Sequence, residues 1–468
     1  MSDYPLIIGG AAVAGDASLP VINPATEEAF ATVARASPRQ AEQAIAAAKA
    51  AFAGWAQTPL AARQDALKAL ADAMARQRDA LARLLTLEQG KPLPEAQGEV
   101  DWSVGYLRHY ATLAPTRRVV QDDAAARVEV RRGPLGVVAG IAPWNFPLLI
   151  ACWKIGPAVL AGNSIVLKPS PTTPVTSLKL GEICNGIFPA GVVNVIADDN
   201  DLGPLLTSHP DIAKVSFTGS AATGRKIMRA GADTLKRLTL ELGGNDPAIV
   251  LEDVDVATTA PKIFGAAFLN CGQVCMAIKR VYVHEAVHDD LAAALAQLAE
   301  EAVVGDGLEQ GTRLGPLQNQ AQFAKVRDLA ASARRDGRVL TGGGGLDRPG
   351  YFMRPMIVAD VADGQRIVDE EQFGPILPLV KVRDGDDSVA RANGSPYGLG
   401  ASVWSADPAR ASALAERLDA GTVWVNQHIA IGPHIPMAGA KQSGIGVEQA
   451  QEGLDEFTQM RVFHVAKP

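Results

Sequence analysis

Two cysteines four positions apart, Cys271 and Cys275, stand in the run Asn270-Cys271-Gly272-Gln273-Val274-Cys275. An apolar segment (263–269) precedes them and the strand-like Val281-Tyr282-Val283 follows. A thiol at such a junction lies near backbone N–H groups, and Gly272 leaves it uncrowded. Partial exposure, nearby donors and room for a substrate are what a cysteine nucleophile needs. Other residues suit the same chemistry. Glu241 ends the apolar run Thr239-Leu240-Glu241-Leu242 before Gly243-Gly244, a setting that raises a carboxyl pKa and suits a general base. Asn145 sits in Pro143-Trp144-Asn145-Phe146-Pro147, where two prolines fix the loop and a neutral amide can donate to an oxyanion. Lys168, in Leu167-Lys168-Pro169-Ser170, ends a buried strand within reach of a ribose hydroxyl or phosphate. Phe217-Thr218-Gly219-Ser220 runs a strand into a glycine and a helix N-cap, which aims N–H groups at an anion.

Each feature also has an ordinary structural explanation. A cysteine can be a small buried hydrophobe, Asn145 a turn cap, Lys168 a surface lysine, and Gly219 a plain strand–turn–helix junction. A zinc site from Cys271, Cys275, His284 and His288 has the wrong spacing, with a strand between the two pairs.

The elements that must position these residues follow from periodicity. Residues 38–56 carry Ala44, Ala48 and Phe52 at helical spacing. Thr58-Pro59 reads as the start of a helix bearing Leu67, Leu70 and Met74, continued by Leu81, Leu84 and Leu85 to Gly90. A third helix is expected over 95–113. Arg127-Val128-Glu129-Val130-Arg131-Arg132 alternates like a half-exposed strand, and Gly133-Pro134 turns it into 135–141. That two-stranded ribbon is either an oligomer contact or an edge hairpin of the main sheet. Strands at 137–141, 164–167, 192–196, 213–217 and 235–240 then alternate with helices at 148–161, 174–187 and 221–230. This is the pattern of an α/β, doubly wound parallel sheet, which holds nucleotides at its carboxyl edge. A second α/β region begins near Asp246, with a helix over 255–269 and a strand over 281–284, so the cysteines lie at a helix–strand junction. A terminal strand is expected over 456–465.

The chain has 468 residues, 47% hydrophobic and 20% charged, and its net charge of -7 gives no nucleic-acid or anionic-membrane footprint. Four cysteines make no disulfide framework and point to a reducing compartment. No secretory signal is read at the start, and the longest apolar region, 136–167, is interrupted by Pro143, Asn145, Pro147, Lys154 and Pro157. A cytoplasmic protein with no membrane partner is expected.

Seven short motifs occur in one order along nearly the whole chain. They are Pro143-Trp144-Asn145-Phe146-Pro147, Leu167-Lys168-Pro169, Phe217-Thr218-Gly219-Ser220, Leu240-Glu241-Leu242-Gly243-Gly244, Gly272-Gln273-x-Cys275, Glu371-x-Phe373-Gly374-Pro375 and Lys441-x-Ser443-Gly444. Together they resemble the aldehyde dehydrogenase superfamily. The resemblance implies a dinucleotide-binding domain over 1–122 and 140–243, a catalytic domain over 244–435, and small β oligomerisation strands at 123–139 and 455–468. It implies Cys275 as nucleophile, Glu241 as base, and Asn145 with the Cys275 N–H as oxyanion donors. NAD, with NADP possible, would be held by Ile141, Pro143, Trp144, Lys168, Phe217, Gly219, Ser220, Leu242, Glu371 and Phe373. No metal is implied, and the expected assembly is a homodimer or homotetramer.

Some positions depart from the family's commonest pattern. Pro171 stands where NAD-preferring members often carry Glu, so nothing local repels a 2′-phosphate. Ala438 replaces a frequent Gly, and Val447 a frequent Arg. Phe146 and Trp153, with Trp102 at the mouth and Met437 and the 428–434 loop as a lid, would give an apolar, aromatic substrate pocket. Aliphatic or aromatic aldehydes suit it; a cationic aminoaldehyde requires Glu99 or Asp101 to point inward. Three alternatives compete: a CoA-acylating dehydrogenase, which needs no Glu241; a non-catalytic binding protein on the same scaffold; and a cysteine hydrolase without a nicotinamide requirement.

Overall fold

Strands Val137–Ile141, Ser164–Lys168, Val193–Val195, Ile212–Thr218 and Arg237–Glu241 form the parallel centre of an eight-stranded sheet, in a computed structural model that describes residues 4–468. The first three are buried at every position; Val137–Ile141 reads accordingly as a continuous apolar run, while Ser164, Lys168 and Asn194 are polar residues buried in the other two. In space the order is 193–195, 164–168, 137–141, 212–218, 237–241. Direction of winding reverses between 137–141 and 212–218, whose register sets Ile141 beside Phe217. The carboxyl ends of those two strands therefore open the crevice where doubly wound sheets take ligands. Helix Pro147–Ala161, buried throughout, and helix Ala221–Ala232 follow those ends. Gly444–Ile445 returns from far along the chain to pair antiparallel with Leu240 and Glu241.

A second sheet of seven strands runs, in spatial order, through Arg338–Thr341, Met356–Ala359, Ile376–Val382, Ile278–His284, Asp246–Val250, Gly400–Trp404 and Thr422–Val425. All its neighbours are parallel except the first pair. Helices Val256–Phe268 and Glu285–Glu301 bury Ile263, Phe268, Leu291 and Leu295 against Val281 and Leu379. The helix-to-strand link 269–277, which carries both cysteines of interest, leaves this packed layer.

The ribbon departs from expectation. Ala126–Pro134 pairs with Arg118–Asp122 on one side and with Thr458–Ala466 on the other, while Val137–Ile141 belongs to the parallel sheet. The result is a separate three-stranded sheet over 118–134 and 458–466, neither a hairpin with 135–141 nor an edge of the main sheet. Gly136, at φ +139°, swings the chain away, and Asn163 Oδ1 takes the freed Leu135 and Gly136 N–H groups at 2.6 and 3.0 Å. A second correction concerns Thr58. It closes helix Pro38–Gln57, its N–H reaching the Trp55 carbonyl, and Leu60–Arg76 starts after Pro59 with no side-chain cap. The capped start belongs instead to Pro38–Gln57, where Ser37 and Gln40 form a capping box. Leu81 and Leu85 lie on a separate helix, Arg78–Gln89, ended by left-handed Gly90.

Candidate active site

A cleft of about 590 Å³ opens at the switch point, lined among others by Ile141, Pro143, Trp144, Lys168, Phe217, Gly219 and Ser220. It runs into a second cavity of about 200 Å³ that shares Pro143, Trp144, Gly219 and Ser220 and reaches Asn145, Leu242, Cys275, Glu371 and Phe373. The structure thus brings one thiol and the sheet's crevice into a single groove. Ser220 Oγ caps helix Ala221–Ala232 by accepting the Thr223 N–H at 3.2 Å. A Cβ on Gly219 would fall 2.5 Å from Phe217 Cζ, and one on Gly243 would fall 2.5 Å from Glu371 Oε2. A side chain at either position would displace the Phe217 ring or the Glu371 carboxylate. Glu371 accepts the Gly244 N–H at 3.1 Å and lies 3.4 Å from the Lys279 ammonium. Trp144 and Phe373 meet edge to face at 5.3 Å. Lys168 bonds the buried Asp198 carboxylate at 2.6 Å, a partner with no local signature in the sequence.

The thiol loop is built from unusual backbone. Asn270, Cys271 and Gly272 follow one another in the left-handed region, at φ 50°, 57° and 74°. A Cβ on Gly272 would lie 2.4 Å from the Gly374 carbonyl oxygen, so glycine is demanded twice there. Side chains lock the loop. Gln273 Nε2 donates to the Asn270 carbonyl (3.0 Å) and its Oε1 accepts the Gln318 N–H (2.8 Å). Asn145 Nδ2 donates to the Gln273 carbonyl at 3.0 Å, while Asn270 Nδ2 donates to the Asn145 carbonyl at 2.9 Å. The amide and the loop are therefore one unit.

Cys271 is buried, whereas Cys275 is half-buried and lines the smaller cavity. Burial pushes the Cys275 thiol up to about 12; nearby Lys279 pulls it down, while Glu241, Asp246 and Glu371 push it further up. In the free protein this sulfur is a neutral thiol near pH 7. Iodoacetamide alkylation of Cys275, followed by peptide mass, should therefore keep rising beyond pH 9; a plateau near pH 7 would contradict it.

Glu241 is buried with both carboxylate oxygens lacking a hydrogen-bond partner. Burial raises its carboxyl well above the ordinary range, the Glu448 charge adds to this, and Lys154 opposes it. Lys154 Nζ, inside the buried helix, bonds Glu448 Oε1 (2.9 Å), Thr218 Oγ1 (2.9 Å) and Ser216 Oγ (3.2 Å). In the sequence Lys154 stands only as an interruption of an apolar run. An ammonium inside such a run is itself a signal, because it must find partners when buried. Glu448 carries no comparable signal.

The substrate-pocket residues divide. Phe146 is half-buried with the Lys91 ammonium 3.8 Å from its ring centre. Trp153 is buried against Tyr106 at 5.2 Å, and Met437 is buried with its backbone paired to Glu448. Trp102 stands 45% exposed, and none of these four residues, nor Glu241, lines either cavity. Glu99 is taken by Lys91 at 2.5 Å and Asp101 by Arg78 at 2.7 Å, so neither offers a free carboxylate inward. His428 lies beneath the thiol loop, its Nε2 at 2.9 Å from the Met276 carbonyl. His284 accepts the Ala286 N–H and His288 pairs with Asp289. Among the described residues, no group of three or more His, Cys, Asp or Glu is placed to hold a metal ion.

A family model described as the aldehyde dehydrogenase family matches residues 12–463. The chain belongs to that family. "Aldehyde dehydrogenase LUC3" of Fusarium is 40% identical over 464 residues, covering 98% of this chain and 98% of its own. A "betaine aldehyde dehydrogenase" of Rhizobium leguminosarum bv. trifolii is 38% identical over 454 residues, covering 94% and 92%. The crystal structure of betaine aldehyde dehydrogenase from Staphylococcus aureus in complex with NAD+ superposes with a TM-score of 0.96 at 32% identity, covering 100% of this chain and 95% of that one. The α/β aldehyde dehydrogenase-like fold implied by the motifs is thereby established. No helix among the described residues is long and apolar enough to cross a membrane.

Proposed function

We propose that this chain oxidises a neutral aliphatic or aromatic aldehyde to its carboxylic acid with NAD+, using Cys275 as nucleophile, Glu241 as base and Asn145 as oxyanion donor. The observation that carries this reading is the continuity of the two cavities, which sets the Cys275 thiol and the Asn145 amide at one end of a dinucleotide-sized groove. The groove fits such a cofactor: the Ser220-capped helix start suits a pyrophosphate, Lys168 a ribose, and Glu371 beside Phe373 the second ribose and its base. Bound there, the oxidised nicotinamide supplies the hydride acceptor.

The chain's own residues do the rest. Cys275 gives its thiol proton to solvent water, its sulfur bonds to the carbonyl carbon and the carbonyl oxygen becomes an alkoxide. Asn145 Nδ2 spends one N–H on the Gln273 carbonyl, leaving the other to join the Cys275 N–H in holding that charge. Each donor of this kind lowers the barrier by about 3 kcal/mol. Once the former carbonyl carbon has lost its hydrogen as hydride, a thioester remains on Cys275. Glu241 takes a proton from water, the water oxygen attacks, the C–S bond breaks and the acid leaves.

The structure favours neutral substrates. Phe146 already has an ammonium over one face, and the nearby carboxylates Glu99 and Asp101 are engaged elsewhere. The names of the betaine aldehyde relatives make a cationic aldehyde the natural competitor. Steady-state NADH formation over aliphatic, aromatic and amino aldehydes tests this; the expected result is acid formed without CoA and neutral substrates ahead. Acyl-CoA as the sole product would establish the acylating alternative, and no NADH across the panel would leave a binding protein.

NADP+ use is also expected, because none of the residues lining the larger cleft is acidic while Ser170 and Lys226 are among them. Pro171→Glu should raise the KM for NADP+ about tenfold and that for NAD+ far less, since a carboxylate repels the 2′-phosphate. Equal effects would mean that this position does not face the ribose. A homodimer or homotetramer is supported by the three-stranded sheet, which leaves Val119, Val120, Met460, Val462 and Val465 exposed. The four unpaired cysteines support a reducing compartment, the cytoplasm.

A further inference from the structure

We propose that Glu95 is a positioning residue that holds the nucleophile turn from outside the active site; this rests on the reading of Cys275 as the reactive thiol. Glu95 Oε2 accepts the backbone N–H of Asn270 at 3.0 Å. Asn270 is the first of the three consecutive left-handed residues, and two of the three are not glycine. Such backbone persists only where its surroundings over-determine it. The Glu95 contact is what fixes the first peptide of the turn.

The same helix, Leu93–Tyr110, reaches the other half of the site. Glu99, one turn on and on the same face, pairs with Lys91, and Lys91 Nζ donates to the Asn145 carbonyl at 3.0 Å. The other Glu99 oxygen accepts the Leu148 and Leu149 N–H groups at 3.1 Å each, at the start of the helix after Asn145. Asn270 Nδ2 joins the two halves by donating to the same Asn145 carbonyl. Two carboxylates one turn apart thus grip the thiol turn and the oxyanion-donor loop together. Glu95 does so from a separate cleft of about 350 Å³, lined also by Pro92, Phe264, Phe268 and Arg313, which shares no lining residue with either cavity of the active site. Glu95 therefore acts on the reaction only through the turn it holds.

Two conservative variants separate an acceptor at the right reach from a mere charge. Glu95→Gln keeps an oxygen at the same distance; Glu95→Asp keeps the charge but falls a methylene short. We expect E95Q to stay within about twofold of wild type in kcat and in iodoacetamide alkylation of Cys275 read by peptide mass. E95D should lose about tenfold in kcat and change the alkylation rate at least about threefold, with aldehyde KM and NAD+ Kd within about twofold. Wild-type alkylation and kcat in E95D would overturn the proposal, as would E95Q falling as far as E95D, or KM and Kd moving in step with kcat. If E95D does not fold, the E95Q result alone decides. Altered alkylation with intact turnover in E95D would support the strut while removing Cys275 as nucleophile, so the two readings fail separately.

Discussion

Cys275→Ala is expected to lower aldehyde turnover on the order of 10⁴-fold or more, the scale on which loss of an enzyme nucleophile acts, while Cys271→Ala keeps most of it. The two thiols are four residues apart yet sit in different places. Cys275 lines the cavity that continues into the dinucleotide groove, and Cys271 is enclosed in protein with its thiol raised by burial and by the Glu95 charge. The measurement is steady-state NADH formation by each variant, with NAD+ affinity as the check that the fold survives. Loss of activity in Cys271→Ala with retention in Cys275→Ala would move the nucleophile.

Glu241→Gln should give a normal first turnover, seen as a burst of NADH, followed by a steady state slower by about 10²- to 10⁴-fold, the usual contribution of a general base. The amide preserves size but cannot take a proton from water. The pH dependence has a definite sign. Burial and Glu448 raise the Glu241 carboxyl, against the pull of Lys154, so it becomes a base at higher pH than an ordinary glutamate. Where thioester hydrolysis limits the rate, wild-type turnover should climb with pH and the Gln variant should lose that climb. An unchanged steady-state rate in Glu241→Gln would remove Glu241 as the base.

Much of this was legible in sequence because local pattern carries it. Strands such as Val137–Ile141 are apolar throughout, since both faces of a parallel sheet are covered, and their spacing with helices marks the winding. Motif residues at strand ends, Ile141, Phe217, Gly219 and Glu241, fall together because parallel register brings equivalent ends level. What escaped depends on partners far along the chain. Lys154 and Glu448 bond across 294 positions, and Asn145 reaches the Gln273 carbonyl across 128. Nor does an alternating run announce its partner: Ala126–Pro134 looked ready to fold back on 135–141 and pairs instead with Thr458–Ala466. Trp102, expected at the pocket mouth, is 45% exposed and lines neither cavity, because the sequence does not say which face of a helix meets the cleft.

The short strand Gly444–Ile445, laid against Leu240 and Glu241, together with Glu448 just beyond it, sets an order on biosynthesis. A ribosome makes Cys275 about 170 residues before it makes this piece, and early segments fold while later ones are still being joined. Until that piece is made, the end of the Arg237–Glu241 strand lacks its antiparallel neighbour, and buried Lys154 lacks the carboxylate that pairs with it.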